Sequence, residues 1–195
     1  MKRALGAMLA ATALGLSAVT THSTSPPLEA ITTLDVPRYM GLWYQTALYP
    51  NRFQSQCVSD TTATYRLLPD NTVEVINRCR IANGSFEEAV GLARPGGLLA
   101  GSSLVPAKLM VTFLPAWLRW IGSVWAAYWV VQIASDYRYV VVSEPQRDYL
   151  WVLSRTPQLT PDDNASVRAW LQAHGFDLSR LQAHGPSVAH ADPSR

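Results

Sequence analysis

Hydrophobic and polar residues alternate with a period of two through much of this chain. The clearest example is "TTATYRLLPDNTVEVINRC", in which Ala63 and Tyr65 alternate with threonines and Val73 and Val75 alternate with polar residues on the far side of "PDN". Alternation interrupted by turn-forming residues is typical of a β-hairpin. The pattern therefore predicts two antiparallel strands here.

Further segments of strand length are rich in aromatic and β-branched residues. They are "LWYQTAL", "SFEEAVGLARP", "AKLMVTFLP", "AYWVVQIAS", "YRYVVVSEP" and "DYLWVLSRTP", and "GGLLAGSS" leaves room for the end of one more strand. About eight strands in sequence avoid open edges most simply by closing into an up-and-down barrel. We therefore predict an all-β fold, an eight-stranded antiparallel barrel whose interior suits side chains or one small ligand.

One segment, "TPDDNASVRAWLQAHG", has the signals of a globular helix near the end of the chain. Thr160 can cap it, a proline and two aspartates occupy the first turn, and Gly175 ends it. The apolar positions share one face that we expect to pack on the sheet. They are Val167, Trp170 and Leu171.

The first residues have the order of a secretory signal peptide. Lys2 and Arg3 precede an uncharged run that extends to about Val19, and small residues follow up to a cut near residue 23. The run is short for a transmembrane span, although an N-terminal anchor helix is the alternative. We expect residues 24–33 to be an irregular lead-in and residues 183–195 to be a disordered tail.

The two cysteines, Cys57 and Cys79, flank the predicted hairpin. In an exported protein such an isolated pair usually forms a disulfide. A catalytic thiol is the alternative, but His174 and His184 lie far along the chain. No cysteine precedes Cys57, so we expect the mature chain not to be a lipoprotein and to be periplasmic or secreted.

Composition narrows the function further. The chain has 195 residues, 48% hydrophobic and 15% charged, with a net charge of +2. These values suit one globular domain, which we place at residues 34–182, and lack the basic stripe of a nucleic-acid binder. Neither metal-ligand spacings nor a nucleophile motif stand out, so we expect no metal, no cofactor and no catalysis.

Three motifs in order resemble the lipocalin family, and specifically its bacterial outer-membrane branch, with apolipoprotein D more distant. They are "GLWY", "SDYRY" and the arginine of "DYLWVLSRTP". The resemblance implies that the tryptophan packs at the closed end of the barrel with the arginine stacked across it. These signature residues are structural rather than catalytic: Gly41, Trp43, Asp136, Tyr137 and Arg155.

The resemblance also implies the ligand class: a fatty acid, lysophospholipid or similar amphiphile, stored or carried in the bacterial cell envelope. Alternation predicts an apolar pocket with one phenol to orient the polar end. The predicted lining is Ala63, Tyr65, Val73, Val75, Leu109, Val111, Phe113, Trp129, Val131 and Ile133. The alternatives are a lipid-modifying enzyme on the same scaffold and an envelope-associated structural protein with a filled barrel.

A final segment, "FLPAWLRWIGSVWAAYW", is unusually apolar. Trp117, Trp120 and Trp125 fall at helical spacing, together with Ile121 and Val124. The spacing predicts a short amphipathic helix that contacts a bilayer or rims the barrel mouth. Packing on the barrel wall is the alternative.

Overall fold

The structure, a computed structural model, describes residues 26–96 and 106–186. The predicted signal peptide, most of "GGLLAGSS" and residues 187–195 lie outside the described residues. Within the described ranges, no helix is long and apolar enough to cross a membrane.

Eight strands close into an antiparallel barrel, as predicted. Each pairs with the next along the chain, and β1 pairs with both β2 and β8, which completes the circuit. The elements are α1 (Val36–Tyr39), β1 (Gly41–Leu48), β2 (Cys57–Leu67), β3 (Val73–Ile81), β4 (Phe86–Pro95), β5 (Lys108–Thr112), β6 (Ala126–Ile133), β7 (Tyr139–Ser143), β8 (Leu150–Ser154), α2 (Pro161–Ala173) and β9 (Gln182–Ala183).

One end of the barrel is plugged by Trp43, which is fully buried. The Arg155 guanidinium lies 3.7 Å from the centroid of the Trp43 ring, the contact that the resemblance implied. Gly41 has φ +93°, and a Cβ there would lie 3.6 Å from Arg155 Nη1. The same guanidinium donates to the backbone carbonyls of Arg38, Tyr39, Met40 and Leu42 at 2.7–3.2 Å.

The short helix α1 covers this closed end, and the sequence pattern missed it because four residues carry no detectable period. Asp35 caps it by accepting a hydrogen bond from Arg38 N at 3.1 Å. The "SDYRY" turn holds it from the other side: Tyr137 accepts from Asp35 N at 2.8 Å, and the Arg38 guanidinium lies 4.2 Å from the Tyr137 ring centroid. Asp136 lies in this turn, where it accepts from Arg138.

Helix α2 packs on the outside of the barrel and confirms the predicted helix. Thr160 accepts from Asp163 N at 3.1 Å, and Val167 and Leu171 are buried in an outer core with the strands below. Arg138 donates three hydrogen bonds to the Asp163 carboxylate, from Nε to both oxygens and from Nη2 to Oδ1, and they lower the pKa of Asp163 below its usual value. This pair ties the start of α2 to the turn before β7.

Both ends of the described chain lie against the barrel. In the lead-in, Leu28 is buried in the outer core and Ile31 N donates to Val130 O at 2.9 Å. At the other end, β9 pairs with β1, and His184 N donates to Thr46 O at 2.8 Å. Contacts with the barrel therefore continue to His184, through partners too scattered along the chain to show as a period.

The predicted disulfide joins Cys57 at the start of β2 to Cys79 in β3, with the two Cα atoms 5.5 Å apart. It links neighbouring strands at the end of the barrel opposite Trp43. No free cysteine occurs among the described residues, so the structure offers no thiol for the alternative of a catalytic cysteine. A loop of this length stabilises the fold by about 3 kcal/mol in the chain-entropy model.

Replacing Arg155 by alanine should lower the free energy of unfolding by about 3 kcal/mol, because several charge-assisted hydrogen bonds and the ring contact are lost together. Arg155→Lys should retain only part of this stability, since a lysine ammonium keeps the positive charge but lacks the planar set of N–H donors of a guanidinium. Denaturant unfolding measures both. Arg66→Ala, which breaks an exposed pair with Glu74, is the control and should change stability little. Equal losses for Arg155→Ala and Arg66→Ala would contradict this role.

Candidate functional site

A cavity of about 730 Å³ occupies the barrel above Trp43. Its lining includes residues of three loops, 49–56, 113–125 and 144–149, which join strands at the end opposite the plug. The cavity is therefore closed at one end and has its mouth at the other. Its volume lies within the range of small-molecule sites, about 300 to 1,000 Å³.

The structure brings half of the predicted lining residues to this cavity: Ala63, Tyr65, Val75, Val111 and Phe113. Val73 is buried lower, in the core around Trp43, and Ile133 packs against that core. Leu109 is half-buried and outside the lining. Whether the five cavity residues contact a ligand stays a prediction.

Trp129 and Val131, predicted to line the pocket, lie outside the cavity lining, and Trp129 packs against both the inner and the outer core. Val131 belongs to the outer core under α2, and Lys108 Nζ lies 4.3 Å from the Trp129 ring centroid. Tyr128 lines the cavity instead, and Val130 is buried in the inner core. Both faces of β6 are apolar, so alternation carried no contrast from which to choose the inward one.

Three tyrosines, the buried Tyr39 and Tyr65 and the half-buried Tyr128, form the polar floor of the cavity. The Tyr128 hydroxyl lies 2.7 Å from the Tyr39 hydroxyl and 2.8 Å from the Tyr65 hydroxyl. Burial raises the pKa of Tyr65 to about 12 and also raises the pKa of Tyr39 and of Tyr128. The sequence indicated only Tyr65, because Tyr39 precedes the strands and Tyr128 was assigned to the wrong face.

A second polar group lies in the cavity wall and was missed altogether. Gln54 Nε2 donates to Gln45 Oε1 at 3.0 Å, and Trp151 Nε1 donates to Gln54 Oε1 at 2.7 Å. Gln45 is only 4% exposed and follows Trp43 by two residues on β1. Residues two apart on a strand point to the same face, so the sequence could have indicated that the Gln45 amide lies on the inward face with Trp43.

Charged side chains in the lining are mostly acidic: Glu87, Glu88, Glu144 and Asp148, with Arg78 as the counterpart. Glu144 is buried and accepts from the backbone N–H groups of Gln146, Asp148 and Tyr149, so it holds the turn between β7 and β8. No group of three His, Cys, Asp or Glu in residues 26–96 and 106–186 could hold a metal. The arrangement suits an apolar chain with a hydrogen-bonded polar end.

The tryptophan-rich segment at the mouth differs from its prediction. Instead of one amphipathic helix it forms two 3₁₀ turns, Ala116–Leu118 and Gly122–Val124. Trp117 and Trp120 are 70% and 82% exposed, whereas Trp125 is 8% exposed. Trp125 turns inward, where Nε1 donates to Arg119 O and the Arg94 guanidinium lies 3.9 Å from its ring centroid.

Comparison with known proteins agrees with this architecture. The family model described as a lipocalin-like domain matches residues 34–186. The chain belongs to the lipocalin family. This lipocalin is 37% identical to temperature-induced lipocalin-1 of Arabidopsis thaliana over 155 residues, which are 79% of this chain and 80% of the relative.

A bacterial protein matches over more of the length. The outer membrane lipoprotein Blc of Escherichia coli strain K12 is 33% identical over 182 residues, covering 92% of this chain and 95% of the relative. Among solved structures, insecticyanin from the tobacco hornworm Manduca sexta superposes with a TM-score of 0.64 at 20% identity, over 85% of this chain and 88% of that one. The family binds small hydrophobic ligands, and this lipocalin has the cavity for one.

The tyrosine floor gives this lipocalin a pH dependence that can be measured by alkaline absorbance titration. Unfolded tyrosines ionise near about pH 10, whereas the floor tyrosines resist ionisation. Their contribution to the free energy of unfolding is complete below about pH 10 and is lost as the pH rises through the raised pKa values. Of the eight tyrosines, Tyr39, Tyr65 and Tyr128 should ionise only with unfolding.

Tyr128→Phe tests the same cluster, because it leaves the hydroxyls of Tyr39 and Tyr65 without this partner. It should lower the free energy of unfolding by about 1 to 3 kcal/mol at neutral pH. Tyr44→Phe, on β1, is the matched control. Ionisation of all eight tyrosines in the folded protein near pH 10 would contradict the buried cluster.

Proposed function

We propose that this lipocalin binds one long-chain amphiphile, such as a fatty acid or a lysophospholipid, and stores or carries it through water. The observation that carries the proposal is the cavity of about 730 Å³, apolar along much of its wall, plugged by Trp43 and open at the other end. Each buried methylene stabilises the complex by about 0.8 kcal/mol. A long chain therefore offsets the several kcal/mol that association costs.

We infer that the protein works in the bacterial cell envelope. The signal-like first residues support export, and the disulfide fits an oxidising compartment. Relatives named outer membrane lipoproteins support the same location. Both cysteines of this chain are in the disulfide, so we propose a form that is not anchored through a lipid-modified cysteine.

Blocking the mouth of the cavity tests ligand binding. Ala126 is exposed and lines the cavity, so Ala126→Trp should fill the entrance without changing the core. We expect it to reduce affinity for a fluorescent fatty-acid probe by about tenfold or more, equivalent to about 1.4 kcal/mol. Titration of delipidated protein measures this.

The matched control is Ala165→Trp, which adds the same side chain at an exposed position of α2. It should bind the probe as the unaltered protein does. Absence of saturable binding by the unaltered protein, or equal binding by both variants, would contradict a role for the cavity.

We propose in addition that the mouth contacts lipid surfaces. Trp117 and Trp120 are the most exposed large apolar side chains of the described residues, and Phe113 and Leu114 lie beside them in the same loop. Tryptophan favours the membrane interface, where its ring is buried and its N–H stays hydrated. A contact there would bring the mouth to the source of the amphiphile.

Flotation with liposomes tests this contact. The double variant Trp117→Ser, Trp120→Ser should float less than the unaltered protein, since two interfacial anchors are removed. The matched control is Leu42→Ser, Leu67→Ser, which removes two exposed apolar side chains at the closed end. Equal flotation of the two double variants would end the proposal.

A further inference from the structure

Direct pairing between β1 and β2 stops before either strand reaches the mouth. The two strands pair along Gly41–Tyr44, although β1 continues to Leu48 and β2 begins at Cys57. The register of β2 shifts beyond this point, where Asp60 has φ +52°, a left-handed conformation that a residue other than glycine rarely adopts. The halves of β1 and β2 nearest the mouth are therefore separated.

The C-terminal strap, which we define as residues 182–186, lies in this gap. His184 N donates to Thr46 O on β1 at 2.8 Å. On the other side, Asp60 N on β2 donates to Gly185 O at 3.4 Å. Backbone groups of β1 and β2 thus pair with the strap instead of with each other.

The strap also contacts the wall of the ligand cavity. Gln45 and Thr61 line the cavity and, in addition, an outer groove of about 370 Å³ that Gly185 and Pro186 border. Since the same side chains face both spaces, the barrel wall is one residue thick here. The His184 ring reaches this wall, where Nε2 lies 2.6 Å from Thr61 Oγ1.

Both strands beside the strap are fixed on their other sides. The disulfide between Cys57 and Cys79 joins β2 to β3, and β1 pairs with β8 as far as Leu48 opposite Trp151. The strap itself has only the two-residue strand Gln182–Ala183, and both residues are exposed. An exposed segment with few hydrogen bonds opens more readily than the strands around it. Its detachment would leave a gap between β1 and β2 at the mouth.

The half-buried His184 makes this attachment sensitive to acid. The titratable groups of the outer groove, among the described residues, are Asp60, Arg78, Arg80 and Tyr44, and Arg80 donates to Asp60 at 2.8 Å. Burial lowers the pKa of His184, and the attraction of Asp60 offsets this only in part. The attached strap therefore favours the neutral imidazole. Its attachment is complete above about pH 6.5, the ordinary pKa of histidine, and weakens as the pH falls below that value.

We propose that the C-terminal strap is an acid-sensitive closure of the barrel mouth. It holds β1 and β2 together while His184 is neutral and detaches when His184 is protonated, which widens the mouth and speeds the release of a bound amphiphile. The release step rests on the proposed function, whereas detachment of the strap is a property of the chain alone. The two are measured separately.

Hydrogen exchange of the ligand-free protein measures detachment. The protection factors of the His184 and Asp60 amides, corrected for intrinsic exchange, should fall about three- to tenfold between about pH 7.5 and about pH 5.5. His184→Gln keeps a neutral side chain and should abolish this change. The matched control, His174→Gln, alters the histidine stacked on Trp170 at the end of α2 and should retain the change.

A second disulfide can hold the strap in place. Ala47 on β1 lies opposite Ala183 in the strap. Because the next pair, Thr46 and His184, is hydrogen-bonded, this pair is of the other kind, with Cα atoms about 4.5 Å apart, a spacing that a disulfide can bridge. The locked variant is Ala47→Cys, Ala183→Cys, oxidised and mapped by mass spectrometry to confirm that the native disulfide is intact. Its matched control is Ala47→Ser, Ala183→Ser.

Stopped-flow release of an NBD-labelled monoacylglycerol, a probe whose headgroup does not titrate in this range, measures the effect on the mouth. In the unaltered protein and the serine control, release should be about three- to tenfold faster at about pH 5.5 than at about pH 7.5. In the locked variant and in His184→Gln, release should be equally slow at both pH values. Thermal unfolding at each pH confirms that every variant is folded.

Amide protection of the strap that does not change with pH would overturn this inference, and so would acid-accelerated release that persists in the locked variant. Either result leaves the lipid-binding cavity in place. Absence of saturable probe binding by the unaltered protein would instead overturn the proposed function, while hydrogen exchange would still report whether the strap detaches. The two failures are therefore distinguishable.

Discussion

The contact between Arg155 and Trp43 is the constraint on which the rest of the barrel depends. One guanidinium covers the ring at 3.7 Å and donates to four backbone carbonyls between Arg38 and Leu42. It thereby joins the end of β8 to the start of β1 and to the helix that covers the closed end. Because this end is sealed, the interior above it is a cavity with a floor rather than a channel.

Hydrogen bonds then decide what the cavity can hold. Two hydrogen-bonded groups of polar side chains lie along it, the tyrosine hydroxyls at the floor and the Gln45, Gln54 and Trp151 group in the wall. Each group is uncharged, so each orients a polar atom without the desolvation cost of a buried charge.

The two ends of the barrel differ in the way they meet water. At the closed end, α1 and the "SDYRY" turn cover the barrel, where Tyr137 accepts from Asp35 N and Arg155 donates to the Arg38 carbonyl. At the mouth, the short turns of the tryptophan-rich loop expose Trp117 and Trp120. The closed end and the mouth thus lie at opposite ends of the barrel axis. The disulfide links two strands at the mouth.

Periodicity in the amino-acid sequence was enough to predict the barrel, the signals at its two ends predicted helix α2, and the isolated cysteine pair predicted the disulfide. The plug formed by Trp43 and Arg155 was implied by the resemblance to lipocalins. Alternation identifies the inward face of a strand only when its outward face is polar. Strand β6 is apolar on both faces, because one face is buried in the inner core and the other under α2. The inward choice of Tyr128 over Trp129 was therefore made by packing. Gln45, Gln54 and Trp151 meet across 9 and 97 residues of chain, and such hydrogen bonds leave no trace in a local pattern. Only the closed barrel, which brings these positions to one wall, creates the site.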